Sequence, residues 1–298
     1  MSVPYRGRFA PTPSGPLHFG SLVSAAGSFL EARSRGGCWH LRIDDLDAPR
    51  VAPGATDAIL RCLERCGLHW DGPVVFQSAH ISAYHAALHD LRQRRAVFAC
   101  ACSRTEIEAA GLRGTAGPVY PGTCRDGLPV GRRARAWRLR VDHAGLDLHD
   151  DVLGPQHIDL NAQGGDFVLY RADGVYSFHL ASAVDELELG ITDVVRGSDL
   201  LESSARQIHL LRMLGRTPPR YMHLPVAVDA SGVKLSKQTG AQPVDDTQPV
   251  RTLCEVLRFL GQPVPQDSEM ASLENFWRYA IANWDLRRVA ARLSAPAP

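Results

Sequence analysis

Arg8-Phe9-Ala10-Pro11-Thr12-Pro13-Ser14-Gly15-Pro16-Leu17-His18-Phe19-Gly20-Ser21 changes its period in the middle. Upstream, residues 5–10 read as a short strand. Downstream, Leu17, Leu22, Val23, Ala26, Phe29 and Leu30 recur near one helical face as far as about Arg33. Pro11, Pro13, Gly15 and Pro16 make the connection a stiff, turn-rich loop. His18, Gly20 and Ser21 therefore stand where a helix begins directly after a strand. Such an N-terminus presents unpaired N–H groups and a partial positive charge, and so accepts an anion. Gly15 and Gly20 let a flat ring or a phosphate approach the backbone.

The chain on either side repeats the strand-then-helix pattern. Trp39-His40-Leu41-Arg42-Ile43 reads as a second strand and runs into Asp44, Asp45 and Asp47. In open α/β sheets ligands bind at that edge. Aspartate at a strand end also caps the next turn, and one or two of the three are expected to do only that. Helical patterns follow at about 54–67 and 80–95, with a short strand at Val74-Val75-Phe76 between them. Further on come a helix from Phe178 to about Glu188 and a strand Ile191-Thr192-Asp193-Val194-Val195 that ends in Arg196-Gly197-Ser198-Asp199. A helix over about 203–214 and a strand from His223 to Val228 complete the series. Strands alternating with helices predict an α/β fold around a mostly parallel sheet.

After a turn at 229–232 comes Val233-Lys234-Leu235-Ser236-Lys237-Gln238. Lys234 and Lys237 are the only lysines in 298 residues, and the other 31 basic side chains are arginine. Lysine is a compact point charge on a flexible stem, whereas arginine is a planar fork. A chain that uses arginine elsewhere and sets both ammonium groups three residues apart points to a loop that holds the oligophosphate of a nucleotide.

Composition bounds the class. The 45% hydrophobic and 22% charged fractions are those of a soluble globular protein, and the net charge of +1 excludes a general polycation. No apolar run reaches transmembrane length and the N-terminus carries no signal-peptide core, so a cytoplasmic protein without membrane contact is expected. Arginines gather at Arg92, Arg94 and Arg95, at Arg132, Arg133, Arg135, Arg138 and Arg140, and at Arg287, Arg288 and Arg292. They suit a nucleic-acid backbone or simply a solvated face. The last sixty residues read as helical, with a frayed tail at 295–298.

Seven cysteines do not make a disulfide framework in a reducing compartment. Cys100 and Cys102 with Cys124 supply three thiolates, one short of a tetrahedral zinc site. Tyr120, four residues before Cys124, or a more distant histidine such as His143, is open as the fourth ligand. A buried apolar pair is the alternative for Cys100 and Cys102. Short apolar alternations over 136–176 point to β structure in an inserted segment.

In order, these pieces resemble a known family. The entry stretch from Arg8 to Ser21 is similar to the glutamyl-type "RFAPSPTGxLHIGG" of class I aminoacyl-tRNA synthetases. Arg42-Ile43-Asp44-Asp45-Leu46-Asp47 resembles its "RIEDTD", Arg196-Gly197-Ser198-Asp199 its "RGxD", and Lys234-Leu235-Ser236-Lys237-Gln238 its "KMSKS". A full glutamyl-tRNA synthetase continues for a couple of hundred residues past its lysine loop, whereas sixty follow Gln238 here. The chain thus looks like the short paralogue family, the glutamyl-Q tRNA(Asp) synthetases, whose C-x-C…Y-x3-C pattern is similar to Cys100, Cys102, Tyr120 and Cys124.

The resemblance implies a Rossmann-like catalytic domain over 1–96 and 178–238, an inserted acceptor-side zinc subdomain over 97–177, and a helical appendage over 239–298 in place of an anticodon-binding domain. It implies tRNA-independent activation of L-glutamate with ATP and Mg2+, one structural Zn2+, and transfer of glutamate to the queuosine base of tRNA(Asp), by a monomer. By that resemblance His18, Gly20, Ser21, Lys234 and Lys237 hold ATP, with His18 and the two lysines catalytic. Arg8, Phe9, Ala10, Pro11, Thr12, Asp44, Phe178 and Arg196 take glutamate. The chain departs from the pattern at Asp44, where the family has Glu, and at Phe178, where a tyrosine is expected. The alternatives are a minimal glutamyl-tRNA synthetase and a non-catalytic tRNA- or nucleotide-binding paralogue.

Overall fold

Strand β1 (Arg6–Phe9) pairs in parallel with β2 (Cys38–Ile43), and β2 with β3 (Val75–Phe76). Helix α1 (Phe19–Ser34) crosses from β1 to β2, and α2 (Ala55–Arg65) from β2 to β3. This is the arrangement in a computed structural model that describes residues 4–115, 117–142, 145–235, 241–266 and 272–297. Ser236, Lys237 and Gln238 of the lysine loop, and His143, lie outside the described residues.

After α3 (Ile81–Gln93) the chain changes character. Strand β4 (Val97–Cys100) leads into helix α4 (Arg104–Ala109), started by a capping box between Ser103 and Glu106, and a small ribbon of β5 (Arg113–Gly114) and β6 (Gly117–Pro118). Strands β7 (Ala136–Leu139) and β10 (Phe167–Tyr170) join β4 in an antiparallel sheet. The hairpin of β8 (Gly145–Asp150) and β9 (Gly154–Asp159) does not stay with them. After α5 (Phe178–Glu188), strand β11 (Asp193–Gly197) and α6 (Leu201–Met213), β12 (Arg220–Leu224) pairs in parallel with β11 on one side and with β8 on the other. The Thr192 amide donates to Arg6 O at 3.0 Å, which sets β11 beside β1. The α/β expectation with largely parallel pairing holds, while among the named strands of the described residues antiparallel pairing occurs in β4, β7 and β10, the β5–β6 ribbon and the β8–β9 hairpin.

Helix α1 is buried from Leu22 to Phe29 apart from Ser24, and on through Ala32. The sequence pattern predicts one apolar face, but both sides are covered. β2 lies against one, where Trp39 meets Phe29 edge-on at 5.2 Å and its Nε1 donates to Ser28 Oγ at 2.9 Å. The other is covered by α7 (Pro249–Phe259) and α8 (Leu273–Ala282), through Phe259 on Phe19 at 5.6 Å and Trp277 on Phe29 at 4.9 Å. Each large side chain buried this way contributes about 1.5–3 kcal/mol. The small residues of α1 permit the close approach, since a Cβ on Gly27 would lie 2.5 Å from Leu224 Cδ1. Even Glu31 is buried, accepting from Trp284 Nε1 at 2.6 Å and Arg35 Nε at 2.9 Å.

The expected fraying of the tail is overturned. Strand β14 (Ser294–Pro296) pairs in parallel with β13 (Val226–Val228), and Ala295 is buried. An Ala/Pro stretch has little local preference for order, but β13 offers it an unpaired edge. Val226 N–H bonds Leu293 O at 3.0 Å, and Ala297 N–H bonds Val228 O at 2.8 Å.

Candidate active site

A cavity of about 630 Å³ opens at the C-terminal ends of β1, β2 and β11, against the start of α1. Arg8 and Phe9 enter it from β1, and Ala10, Pro11 and Thr12 from the loop. His18, Gly20 and Ser21 come from α1, Asp44 from the end of β2, Phe178 from α5 and Arg196 from β11. Lys234 reaches it from the turn after β13. All the site residues expected from sequence therefore line one cavity, apart from the three cysteines and Tyr120, which form a separate cluster, and Lys237, which is outside the described residues.

His18 is the N-cap of α1. Its Nδ1 accepts the Ser21 amide at 3.3 Å, which leaves the ring proton on Nε2. Gly20 makes room for that ring, because a Cβ there would stand 3.3 Å from His18 Cε1 and Nδ1. Lys234 forms a bridge with Val228 and its Nζ pairs with Asp199 of the Arg196-Gly197-Ser198-Asp199 stretch. The Asp229 carboxylate shapes the turn by accepting the Ser231 and Val233 amides at 2.8 and 3.0 Å.

Three buried guanidinium groups lie under the cavity, and they differ in how they are balanced. Arg8 donates through Nε and Nη2 to Glu186 Oε1 at 3.1 and 3.0 Å, and through Nη1 to Val195 O at 3.1 Å. Arg42 grips Asp44 with Nε at 2.6 Å and Nη2 at 3.2 Å, and lies 3.6 Å from Asp185. Arg196 is equally buried, yet its Nη2 meets only neutral oxygens, Ser204 Oγ at 2.6 Å and Gln207 Oε1 at 2.8 Å, with a longer 3.5 Å contact to Leu200 O. Among the described residues no carboxylate comes within ion-pair distance of it. Burial pushes its pKa down, as do the charges of Arg8 and Arg42, while Tyr221 and the Glu186 carboxylate, beyond ion-pair distance, oppose them. A desolvated cation without a carboxylate at the wall of a cavity is a receptor for an incoming one.

Asp44 is raised above the usual carboxylate range by burial, with Arg42 opposing. Asp45 caps a turn instead, accepting from Ser78 N at 2.8 Å and Oγ at 2.6 Å. Asp47 stands 3.4 Å from Arg171. Sequence reading missed Asp185 and Glu186. Asp185 takes Gln77 Nε2 at 2.9 Å, His80 Nδ1 at 2.8 Å and Tyr84 Oη at 2.8 Å, and is fully buried. The signal was present: two adjacent acids end the run Leu180-Ala181-Ser182-Ala183-Val184 on the face of α5 that an α/β fold buries.

The Sγ atoms of Cys100, Cys102 and Cys124 lie within 4.8 Å of one another. Cys102 and Cys124 are 3.7 Å apart. Two thiolates each ~2.3 Å from a tetrahedral ion stand about 3.8 Å apart, so this spacing fits a shared metal. Tyr120 Oη lies 3.6 Å from Cys100 Sγ and accepts the Cys124 amide at 2.8 Å. The sulfurs also receive N–H groups, Arg138 Nε on Cys100 at 3.3 Å and the Ala101 amide on Cys124 at 3.4 Å. Burial works against ionisation of the Cys100 thiol, but the bonds from Arg138 and Tyr120 hold its pKa below the usual thiol value. The cluster could hold a metal ion. Cys102, Tyr120 and Phe178 also border a second cavity of about 840 Å³ whose walls carry Arg104, Arg135 and Arg171. Not all the arginine cluster is free for a partner, since Arg138 is buried and Arg132 pairs with Glu106 at 2.9 Å.

The family model described as tRNA synthetases class I (E and Q), catalytic domain, matches residues 4–292. Two similar relatives, from Aromatoleum aromaticum and Chromobacterium violaceum, are both named glutamyl-Q tRNA(Asp) synthetase. The first is 51% identical over 99% of this chain and 93% of its own length, the second 53% identical over 96% of each. The glutamate-tRNA synthetase structure from Elizabethkingia anophelis superposes with a TM-score of 0.82 at 24% identity, covering 99% of this chain and 68% of that one, and shares the fold. No helix among the described residues is long and apolar enough to cross a membrane. With its family match spanning nearly the whole sequence and near-full-length relatives at half identity, the chain belongs to the glutamyl-Q tRNA(Asp) synthetases, ligases of the class I tRNA synthetase family.

Proposed function

We propose that the chain activates L-glutamate with ATP, without tRNA, and passes the glutamyl group to the queuosine base in the anticodon of tRNA(Asp). The observation that carries this reading is Arg196, a buried guanidinium without a carboxylate at ion-pair distance among the described residues, lining the same cavity as the N-terminus of α1. A dicarboxylic amino acid places its side-chain carboxylate on Arg196 and its α-ammonium toward Asp44. Its α-carboxylate then faces the nucleotide.

An α-carboxylate oxygen attacks the α-phosphorus of ATP. The bond to the bridging oxygen breaks and its electrons leave with pyrophosphate. Little covalent chemistry falls to the protein, so positioning and charge supply most of the rate. His18 and the start of α1 at Gly20 and Ser21 hold the triphosphate and adenosine, and Lys234 and Lys237 neutralise charge growing on the leaving group. Magnesium travels with ATP, bound to phosphate oxygens and water. In the second step a nucleophile of the acceptor base attacks the carbonyl carbon of glutamyl-AMP, and AMP leaves. The second cavity, which meets the first at Phe178 and carries arginines, supports an approach of RNA from that side.

The test is ATP–pyrophosphate exchange without tRNA. Exchange driven by glutamate, and lowered by ~10²–10³-fold in Lys237→Ala, is expected. Absence of exchange, whatever amino acid is supplied, would leave the non-catalytic alternative.

Zinc is proposed for the cluster of Cys100, Cys102 and Cys124, with Tyr120 as fourth ligand. When bound it ties the β4 end to the loop before β7. Metal analysis of the purified chain should find about one zinc per molecule, and Cys124→Ser should lose it. A folded, zinc-free parent protein would remove the site.

A further inference from the structure

Behind Arg196, on the side away from the cavity, lies a hydrogen-bonded row that the reaction as described does not use. Ser204 Oγ, which receives Arg196 Nη2 at 2.6 Å, is 2.7 Å from His223 Nε2. His223 Nδ1 is 2.6 Å from Asp150 Oδ2. The three residues come from α6, β12 and the end of β8, and all are fully buried. Asp150 also accepts the amides of Val152, Leu153 and His223 at 3.0, 2.8 and 3.2 Å. The Tyr221 ring stacks on His223 at 6.0 Å, and the Arg196 guanidinium sits over it at 5.3 Å.

An aspartate, a histidine and a serine in this order resemble a hydrolytic triad, but the setting excludes that. None of the three lines the cavity, and the serine oxygen already accepts from a guanidinium, which quenches it as a nucleophile. The distances alone leave the Ser204 hydroxyl a choice between His223 Nε2 and Leu200 O, 3.1 Å away, and the Arg196 Nε proton aimed at His223 Nε2 selects the arrangement with that nitrogen bare. Asp150 accepts from Nδ1–H of a neutral His223, the bare Nε2 accepts from the Ser204 hydroxyl, and Ser204 Oγ accepts from Arg196. The Arg196 Nε, 3.5 Å from His223 Nε2, points its proton at the same bare nitrogen. Burial lowers the His223 pKa, with Asp150 opposing and the charge of Arg196 adding, in keeping with a neutral ring. Burial alone would raise Asp150, but the bonds from His223 and the Leu153 amide hold it below the usual carboxylate range.

We propose that Asp150, His223 and Ser204 are positioning residues for substrate selection, a relay that aims Arg196 at the side-chain carboxylate of the amino acid. The inference rests on the proposed function, and it adds a counter-charge held two groups away. A carboxylate in direct contact would neutralise Arg196 and compete with substrate. Placed behind a neutral histidine and a hydroxyl, Asp150 stabilises the buried cation and fixes the plane of its fork while leaving the other edge for the ligand. The anchor of this row belongs to the β8–β9 hairpin, which explains why that hairpin pairs with β12 at Tyr221 and Asp150.

The test compares glutamate with its uncharged isostere glutamine in tRNA-independent ATP–pyrophosphate exchange, for the parent chain, Ser204→Ala and Asp150→Asn. Ser204→Ala removes one oxygen and is the mild variant; its melting curve shows whether it is folded. In both variants the KM for glutamate should rise about ten-fold, as for a lost hydrogen bond to a charged group, with the KM for ATP unchanged. The preference for glutamate over glutamine should fall by a similar factor. A merely structural role would lower both substrates' rates alike. Imidazole 15N spectra of the parent at neutral pH should show His223 protonated at Nδ1 and bare at Nε2. Variants with unchanged glutamate KM and unchanged preference, or an imidazolium signal from His223, overturn the relay. A parent chain that catalyses no exchange, whatever amino acid is supplied, overturns the proposed function itself, and the relay with it.

Discussion

Arg196→Ala is expected to leave a folded protein that no longer activates glutamate at ordinary concentrations. Truncating one partner of a buried charge pair costs about 2–5 kcal/mol, so the KM for glutamate should rise on the order of 10²–10³-fold. Stability should behave differently. The group removed is a desolvated cation whose contacts are Ser204, Gln207, His223 and the Tyr221 ring, and Asp150, its counter-charge two groups away, keeps its own donors in His223 and the Val152 and Leu153 amides. The melting temperature should therefore stay near that of the parent. Arg196→Lys should rescue little. An ammonium cannot reach Ser204 and Gln207 with one nitrogen while offering a second, as Nη1 does, to a carboxylate. Steady-state exchange with glutamate varied, alongside thermal melting, checks both halves. A normal KM in Arg196→Ala would remove the glutamate pose.

Arg42→Met should do the reverse and strike stability first. Arg42 is 1% exposed and holds Asp44 through two of its nitrogens. Asp185 keeps Gln77, His80 and Tyr84 as donors, but among the described residues both side-chain bonds to the Asp44 carboxylate come from Arg42. Leaving a buried carboxylate uncompensated costs about 3–5 kcal/mol. The loss has a pH signature. Burial already raises the Asp44 pKa and Arg42 opposes it, so without Arg42 the pKa rises further. A carboxyl with a raised folded pKa binds its proton more tightly folded than unfolded. Its contribution is present at low pH and is lost as pH rises through the folded value. The deficit of Arg42→Met should thus be largest at neutral pH and shrink as pH falls toward the ordinary carboxylate range. Denaturant unfolding at several pH values reads this directly, and a deficit independent of pH would show that the pair is not what Arg42 supports.

Local sequence made the front of the site legible. The strand, proline-rich loop and helix at 8–21, the aspartates after β2, Arg196 at the end of β11 and Lys234 after β13 all sit at strand ends that the α/β rule marks for ligands. What could not be read are partners far apart in sequence. Glu186 balances Arg8 from 178 residues away, and Asp150 reaches His223 across 73. A single helix or strand carries no trace of such a pair beyond a polar residue at an apolar position. The two-sided burial of α1 was hidden for the same reason, because its second partner is α7 and α8, more than two hundred residues later. The tail misled because an Ala/Pro stretch takes its order from the β13 edge rather than from its own preference.

Charging decides the central claim most directly. Labelled glutamate is offered with ATP to queuosine-containing tRNA(Asp), to the same tRNA without queuosine, and to tRNA(Glu). Label on the queuosine-containing tRNA(Asp) alone is the expected result. Label on tRNA(Glu), or on tRNA(Asp) regardless of queuosine, would contradict it and leave a minimal glutamyl-tRNA synthetase or an acceptor other than the modified base.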